Sequence, residues 1–385
     1  MTTTTRTPVR EEEEGARAPP ASAPPYRGAA RRPKRATSAA SSRACGRSPA
    51  VRSAPLTDPF RAGFPRPCAQ LKGSLHRMSS VLESAPVPSA AENAPPPPLA
   101  AAQSDRPRLA PILYFGGIHV ACLGVIWVGV SFTAVMVCLA LYALRMFAIT
   151  AGYHRYFSHR TYSTSRAFGF VLGVLGTLAI QKGPLWWASV HRHHHRESDR
   201  PADAHSPIQR GFWHAHVGWI LMGAHSDTDV TRIPDLASAP ELRLLDRFHW
   251  VAPVLLYVGL FFFGQHLAAA HPSLGTSGMQ LIVWGFAIST VLVYHGAWSV
   301  NSILHLWGRR PYKTSDFSRN NPLVAIYTFG EGWHNNHHRF PASERQGFRW
   351  WQVDFSHYIL RALSFVRLVW DLKRPPQTIL DEGRS

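Results

Sequence analysis

The stretch that decides the fold is ILYFGGIHVACLGVIWVGVSFTAVMVCLALYALRMFAITAGY, residues 112–153, whose one Lys, Arg, Asp or Glu is Arg145. At ~1.5 Å of rise per residue it supplies two crossings of a ~30 Å hydrocarbon core. Gly129-Val130-Ser131 is the natural break, which predicts helices over about 112–130 and 132–153. Further along, Trp250 to Leu267 and Met279 to Val300 form a second apolar pair, predicting helices over about 250–268 and 279–300. Pro253 falls in a first helical turn, where its missing N–H does no harm. Between the pairs, Ala167 to Ile180 is apolar but too short to cross, so it reads as a buried or interfacial helix. Its Gly169, Gly173 and Gly176 favour close helix packing over lipid contact.

Charge sets the expected orientation. The connections 129–131 and 269–278 hold no Lys, Arg, Asp or Glu, whereas the other segments are rich in Arg. The positive-inside rule puts both uncharged turns outside and places the N-terminal segment, residues 154–249 and everything after 301 in the cytoplasm. The expected fold is an all-α, multi-pass integral membrane protein with four transmembrane helices in two hairpins. A helical cap lies on the cytoplasmic side, and both termini are cytoplasmic.

Around this body the composition divides. The chain has 385 residues, 41 Lys+Arg against 23 Asp+Glu, and a mean hydropathy of -0.11. Residues 1–108 hold 18 of its 31 prolines and 17 Lys+Arg against 8 Asp+Glu, with too little apolar surface to offset chain entropy. They read as a disordered basic Pro/Ala/Arg-rich tail, 109–375 as the membrane domain, and 376–385 as a short C-terminal tail. Met78 is an alternative start within the first tail. The tail's basicity lacks the aromatic interleaving or folded module of a nucleic-acid binder, so no nucleic-acid partner is expected. No apolar segment near the start reads as a secretory signal. Four Cys without CxxC spacing exclude a disulfide scaffold, a zinc ribbon and a thiol redox motif.

Twenty of the 21 histidines lie beyond residue 108, in clusters. His191, His194 and His195 form HxxHH, and His334, His337 and His338 repeat it. Residues at i, i+3 and i+4 of a helix project from one face, as a metal requires of one element. His193 points about 200° from His191 and is not read as a ligand. His154 and His159 are five apart, about 140° around an α-helix, so they ligate together only if the helix bends or ends there. Asn301 and His305 form an i,i+4 pair at the end of the fourth span. All four groups fall at the same predicted membrane face. Nine imidazoles exceed one ion's capacity and imply two; nitrogen ligation without thiolates is compatible with Fe, Zn, Cu or Ni. The other histidines beyond residue 108, His119, His205, His214, His216, His225, His249, His266, His271, His295 and His357, read as satisfied polar or surface residues.

HRYFSH, HRHHH, NSILH and GEGWHNNHH in this order, with AITAGYHR before the first and HVGWILMG after the second, resemble the membrane-bound acyl-CoA desaturases of the stearoyl-CoA Δ9 type. The resemblance spans about residues 111–375. It implies a di-iron centre using two iron ions, O2 as co-substrate and two external electrons to desaturate a saturated fatty acyl chain, with a cis bond at Δ9. It also implies that His154, His159, His191, His194, His195, His305, His334, His337 and His338 are iron ligands, with Asn301 reaching an iron through a water.

That chemistry suits the layout. An unactivated methylene has no acidic hydrogen and no polar handle, so the hard step belongs to the metal and positioning to the protein. All-His ligation gives neutral donors, which calls for anions behind them; Asp199, Asp203, Asp316 and Glu331 are placed to serve, Glu331 best. Gln181, Trp187 and Trp298 occupy family-like positions at the bend of an acyl tunnel, and Tyr142, about 18 Å from His154 along the helix, stands at its floor. Arg309, Arg310 and Lys313 are placed to meet an anionic head group. Gly183-Pro184-Leu185-Trp186 and Ser189-Val190 depart from the vertebrate-like pattern, which leaves CoA, acyl carrier protein and membrane lipid open as carriers. No flavin, nicotinamide, haem or Fe–S motif is present, so the electron donor is external, a ferredoxin or cytochrome b5 with its reductase. Two other readings stay in view: a di-iron fatty acid or alkyl hydroxylase, and a His-rich membrane metal transporter. The transporter is disfavoured by spans almost free of ionisable residues.

Overall fold

A computed structural model describes residues 106–383, so the readings of residues 1–105, including a start at Met78, lie outside it. The described chain is helical, apart from a two-residue antiparallel pairing of Ser163–Thr164 with Val369–Trp370. Four helices are long and apolar enough to cross a membrane: Leu109–Val128, Phe132–Ser158, Val251–Ala270 and Gly278–His305. The second and fourth run five residues beyond their predicted ends at Tyr153 and Val300. The prediction stopped where polar residues begin; those side chains turn inward to partners in the protein, so the helices need not end.

The fourth span is the central one. Of its most apolar window 61 % is buried, against 6 % for the first span and 17 % for the third. The first span lies against it where Gly124 meets the Val283 side chain, and the third where Gly264 approaches the backbone of Ser277 and Gly278. Arg145 is fully buried on the second span. Its guanidinium donates to Ser289 Oγ (3.0 Å), Thr290 Oγ1 (2.7 Å) and the Gly285 carbonyl (3.5 Å), joining the second span to the fourth. The two uncharged turns meet: Ser131 Oγ donates to Gln280 Oε1 (2.6 Å) and lies 3.0 Å from Thr276 Oγ1, while Gln280 Nε2 donates to the Val128 carbonyl (2.9 Å). The histidine boxes gather at the other ends of the second and fourth spans.

The winding of the second span matters for what it carries. It is α-helical over Phe132–Phe147 and π-wound over Ala148–Ser158. The His159 N–H bonds to the His154 carbonyl across five residues (3.2 Å). This repeat stacks residues five apart, so it answers the 140° objection: His154 and His159 share a face without a kink. Helix Arg166–Thr177 packs its glycines onto this segment, with Gly169 facing Tyr156, Gly173 facing Phe157 and Gly176 facing Tyr153. Its Phe170 and Val171 face outward, as an interfacial helix requires.

Residues 376–385 were expected to be a tail, yet Gln377–Glu382 is a docked helix. Arg339, next to His338, pairs with Glu382 (2.6 Å), and Arg349 donates to the Leu380 carbonyl (2.9 Å).

Candidate metal centre

Helix Pro184–Glu197 carries HxxHH from its middle to its end. Asp246, some sixty residues away, caps its start by accepting from the N–H groups of Leu185 (3.1 Å) and Trp186 (3.0 Å). The third box opens helix His334–Arg339. The nine predicted imidazoles converge as two sets: His154, His159, His191, His195 and His337 in one, and His194, His305, His334 and His338 in the other. Each HxxHH box is therefore divided between the sets. The off-face ring of His193 joins neither and pairs with the Ala202 carbonyl (2.9 Å).

Behind the rings stand all four predicted carboxylates. Nδ1 of His154 lies 2.5 Å from Glu331, that of His194 3.0 Å from Asp203, that of His305 2.8 Å from Asp199 and that of His338 2.6 Å from Asp316. A carboxylate at Nδ1 holds the proton there and turns the Nε2 lone pair inward. Burial opposes ionisation of Asp203, but His194 and His205 outweigh it and hold its carboxyl well below the usual range. Asp316 likewise stays ionised through His338, Asp199 through His305, and Glu331 through His154 and Arg155, each against the cost of burial. Burial and neighbouring rings push His159, His191, His195, His334 and His337 well below their ordinary value, and burial brings His338 down to about 4 despite Asp316. His194 moves up: burial lowers it, but Asp203 raises it more.

These residues fit metal ions. His338 Nε2 is buried without a hydrogen-bond partner among the described residues, and its lone pair faces the other three rings of its set. Nε2 atoms stand 3.0 Å apart for His154 and His337, 2.8 Å for His159 and His191, 3.0 Å for His191 and His195, 3.0 Å for His195 and His337, and 3.2 Å for His305 and His334. With metal–nitrogen bonds of about 2.1 Å, ligands at right angles stand ~3.0 Å apart and tetrahedral ones ~3.4 Å.

A narrow channel of about 60 Å³ reaches both sets. It is lined by Gln181, Trp187, Trp298 and Asn301, with Met146 and Ile149 from the second span. Trp187 stacks on His191 with centroids 4.8 Å apart, and Trp298 on Tyr294 at 4.6 Å. Tyr142 does not line it; the tyrosine sits a turn beyond Met146, its hydroxyl donating to the Tyr327 carbonyl (2.5 Å). Arg309, Arg310 and Lys313 line neither cavity found beside the site. Arg309 pairs through its backbone with Asn320, which folds this segment back, and Arg310 lies over Phe317 and donates to the Asp316 carbonyl. The cations that do stand beside a cavity are Arg108 and Lys182.

Sequence reasoning missed two other residues. Arg155, fully buried, bridges Glu331 (3.2 Å) and Asp354 (3.0 Å). His205, taken as a bystander, is buried with its ring 4.4 Å from that of His194, and it too lines the channel. Three other bystanders satisfy one another: His119 meets His295 (3.0 Å), His295 meets His216 (2.9 Å), and His216 meets Ser302 (2.9 Å).

Apolar spans with a buried, carboxylate-backed cluster of histidines at one end fit a membrane-bound, metal-dependent enzyme. The chain belongs to the fatty acid desaturase family, whose model matches residues 110–367. It is 38% identical to an acyl-CoA C20 Δ5-desaturase of Anemone leveillei over 69% of this chain and 82% of that one. It is 37% identical to an sn-1 stearoyl-lipid 9-desaturase of Anabaena variabilis over 68% of this chain and 92% of the relative. It is also 35% identical to a Δ9 acyl-lipid desaturase of Arabidopsis thaliana over 64% and 77%. It is thus a membrane enzyme of fatty acid desaturation.

Proposed function

We infer that the chain introduces a cis double bond at Δ9 of a saturated fatty acyl chain, with two irons held by the five-His and four-His sets. The observation that carries this reading is the division of nine imidazoles into two adjoining sets at a narrow apolar channel. The irons, when bound, activate O2, which takes two hydrogens from the chain and two electrons and two protons from outside and leaves as two waters. The protein's part is placement. Trp187, stacked on His191, bends the chain beside the rings, Gln181 and Trp298 stand at the neck that leads to it, and the methyl end extends past Met146 toward Tyr142. Asn301 lines the channel with His194 and His334, suited to hold a water in the set that has one imidazole fewer. Both termini and the metal end face the cytoplasm in this reading, where a ferredoxin or cytochrome b5 with its reductase delivers electrons.

The test is the fatty-acid profile of a desaturase-deficient host expressing the chain. A product lighter by two hydrogens with its bond at C9 is expected. A bond elsewhere overturns Δ9, and a product heavier by one oxygen overturns desaturation.

A further inference from the structure

A second, larger cavity of about 750 Å³ adjoins the channel and shares Gln181, Trp186, Trp219, Ile220 and Trp298 with it. That volume lies in the range of roughly 300–1,000 Å³ common to small-molecule sites. Its outer wall includes Tyr114 of the first span and Val254 and Tyr257 of the third. These side chains are 45 %, 50 % and 41 % exposed, so they face both the cavity and the outside. Tyr257 lies six residues into its span, ~9 Å along the axis. The side of the cavity bounded by the first and third spans therefore extends to the depth of the hydrocarbon.

Chemistry at the two ends of this cavity narrows its occupant. At the outer end the lining cations are Arg108 and Lys182, and Lys182 is engaged already, donating to the Ser226 carbonyl (2.5 Å) above the Trp186 ring. At the inner end Gln181 Nε2, Trp219 Nε1 and Trp298 Nε1 are buried donors without a hydrogen-bond partner among the described residues. Their residues are 6 %, 6 % and 3 % exposed, and all three line both cavities. Buried donors without acceptors are uncommon, and the oxygens of a ligand in the cavity would satisfy them.

We propose that this cavity receives an ester-linked acyl chain of a bilayer glycerolipid, entering sideways between the first and third spans. Its ester oxygens meet the three unpartnered donors, and the chain threads the neck to the metal centre. A CoA thioester carries the same carbonyl but adds a multiply phosphorylated nucleotide, which the two Lys and Arg that line the cavity among the described residues, one of them engaged, are poorly equipped to hold. The inference rests on the desaturase reading and names the carrier for that same site.

The experiment uses the purified full chain, iron-loaded, in nanodiscs that contain carbon-13 distearoyl phosphatidylcholine, with deuterated stearoyl-CoA and a reducing system added. Mass spectrometry separates the two products. The double bond is expected in the lipid, and Val254→Trp, which fills the lateral gap, should lower that product about tenfold with iron content unchanged. A diazirine-bearing phosphatidylcholine should label residues 250–257 and 110–115 in the wild-type chain, which keeps the claim testable if the variant misfolds. Desaturation of the CoA-linked chain at an equal or higher rate overturns the proposal and leaves the desaturase reading intact, as does full activity in the Val254→Trp variant. Labelling confined to other lipid-facing surfaces overturns it as well. Desaturation of neither substrate, with iron bound and electrons supplied, overturns the desaturase reading itself.

Discussion

Glu331 shows how one carboxylate sets the direction of a ring. It holds the Nδ1 proton of His154 at 2.5 Å while Arg155 and Gln346 hold Glu331. Glu331→Gln keeps the shape and removes the charge, so iron affinity should fall about 10–100-fold, read by titrating the metal-free protein. His193→Ala should retain near-normal iron, because its ring is spent on the Ala202 carbonyl, whereas His191→Ala, His194→Ala or His195→Ala should lose metal and turnover. Equal iron loss in all four variants would refute that distinction. Asn301→Ala should lower turnover more than iron content, as expected of a group that acts through a water; iron loss equal to that of His305→Ala would count against it. That the nine rings would gather was legible in sequence because helical spacing fixes which side chains share a face. The pairing of carboxylates with rings was not: Asp199 meets His305 across 106 residues, and only the folded loops bring them together. Tyr142 lies one turn beyond Met146, the last residue of its helix to line the channel, and its hydroxyl is bonded to the Tyr327 carbonyl.

At the scale of elements, the chain's apolar runs announced all four spans, while the polar ends of the second and fourth hid their last turns. Packing of the short glycine-bearing helix is unforgiving: a Cβ on Gly176 would lie 2.1 Å from Tyr153 Cε1. Tyr153 is fully buried and bonded to the Lys182 carbonyl (3.0 Å), so it has nowhere to move. Gly176→Ala should destabilise the protein by about 1–3 kcal/mol, seen as a lowered Tm in detergent. Asp246→Ala removes the acceptor at the start of the box-bearing helix and should cost about 1–2 kcal/mol. A Tm unchanged by that substitution would mean that water caps the helix equally well.

For the molecule as a whole, the buried rings tie stability to pH. His159, His191, His195, His334 and His337 stay neutral in the fold well below the pH at which they would protonate in the unfolded chain. Folded values depressed in this way give stability that is complete above about pH 6.5 and drains as pH falls below it. The metal-free protein should therefore melt several degrees lower at pH 5.5 than at pH 7.5. A Tm flat across that range would show that protonated rings are accommodated. The loaded protein should release iron over the same interval, because the ligands must be neutral to bind. The π-wound segment also has a consequence for sequence change within the family. One residue gained or lost between His154 and His159 would break their five-residue spacing and carry one ring off the shared face. A residue gained in the turn between the third and fourth spans would only lengthen a loop. Gaps in an alignment of relatives should therefore collect in such turns and be absent from residues 154–159, marking where this chain is free to drift and where its length is itself under selection.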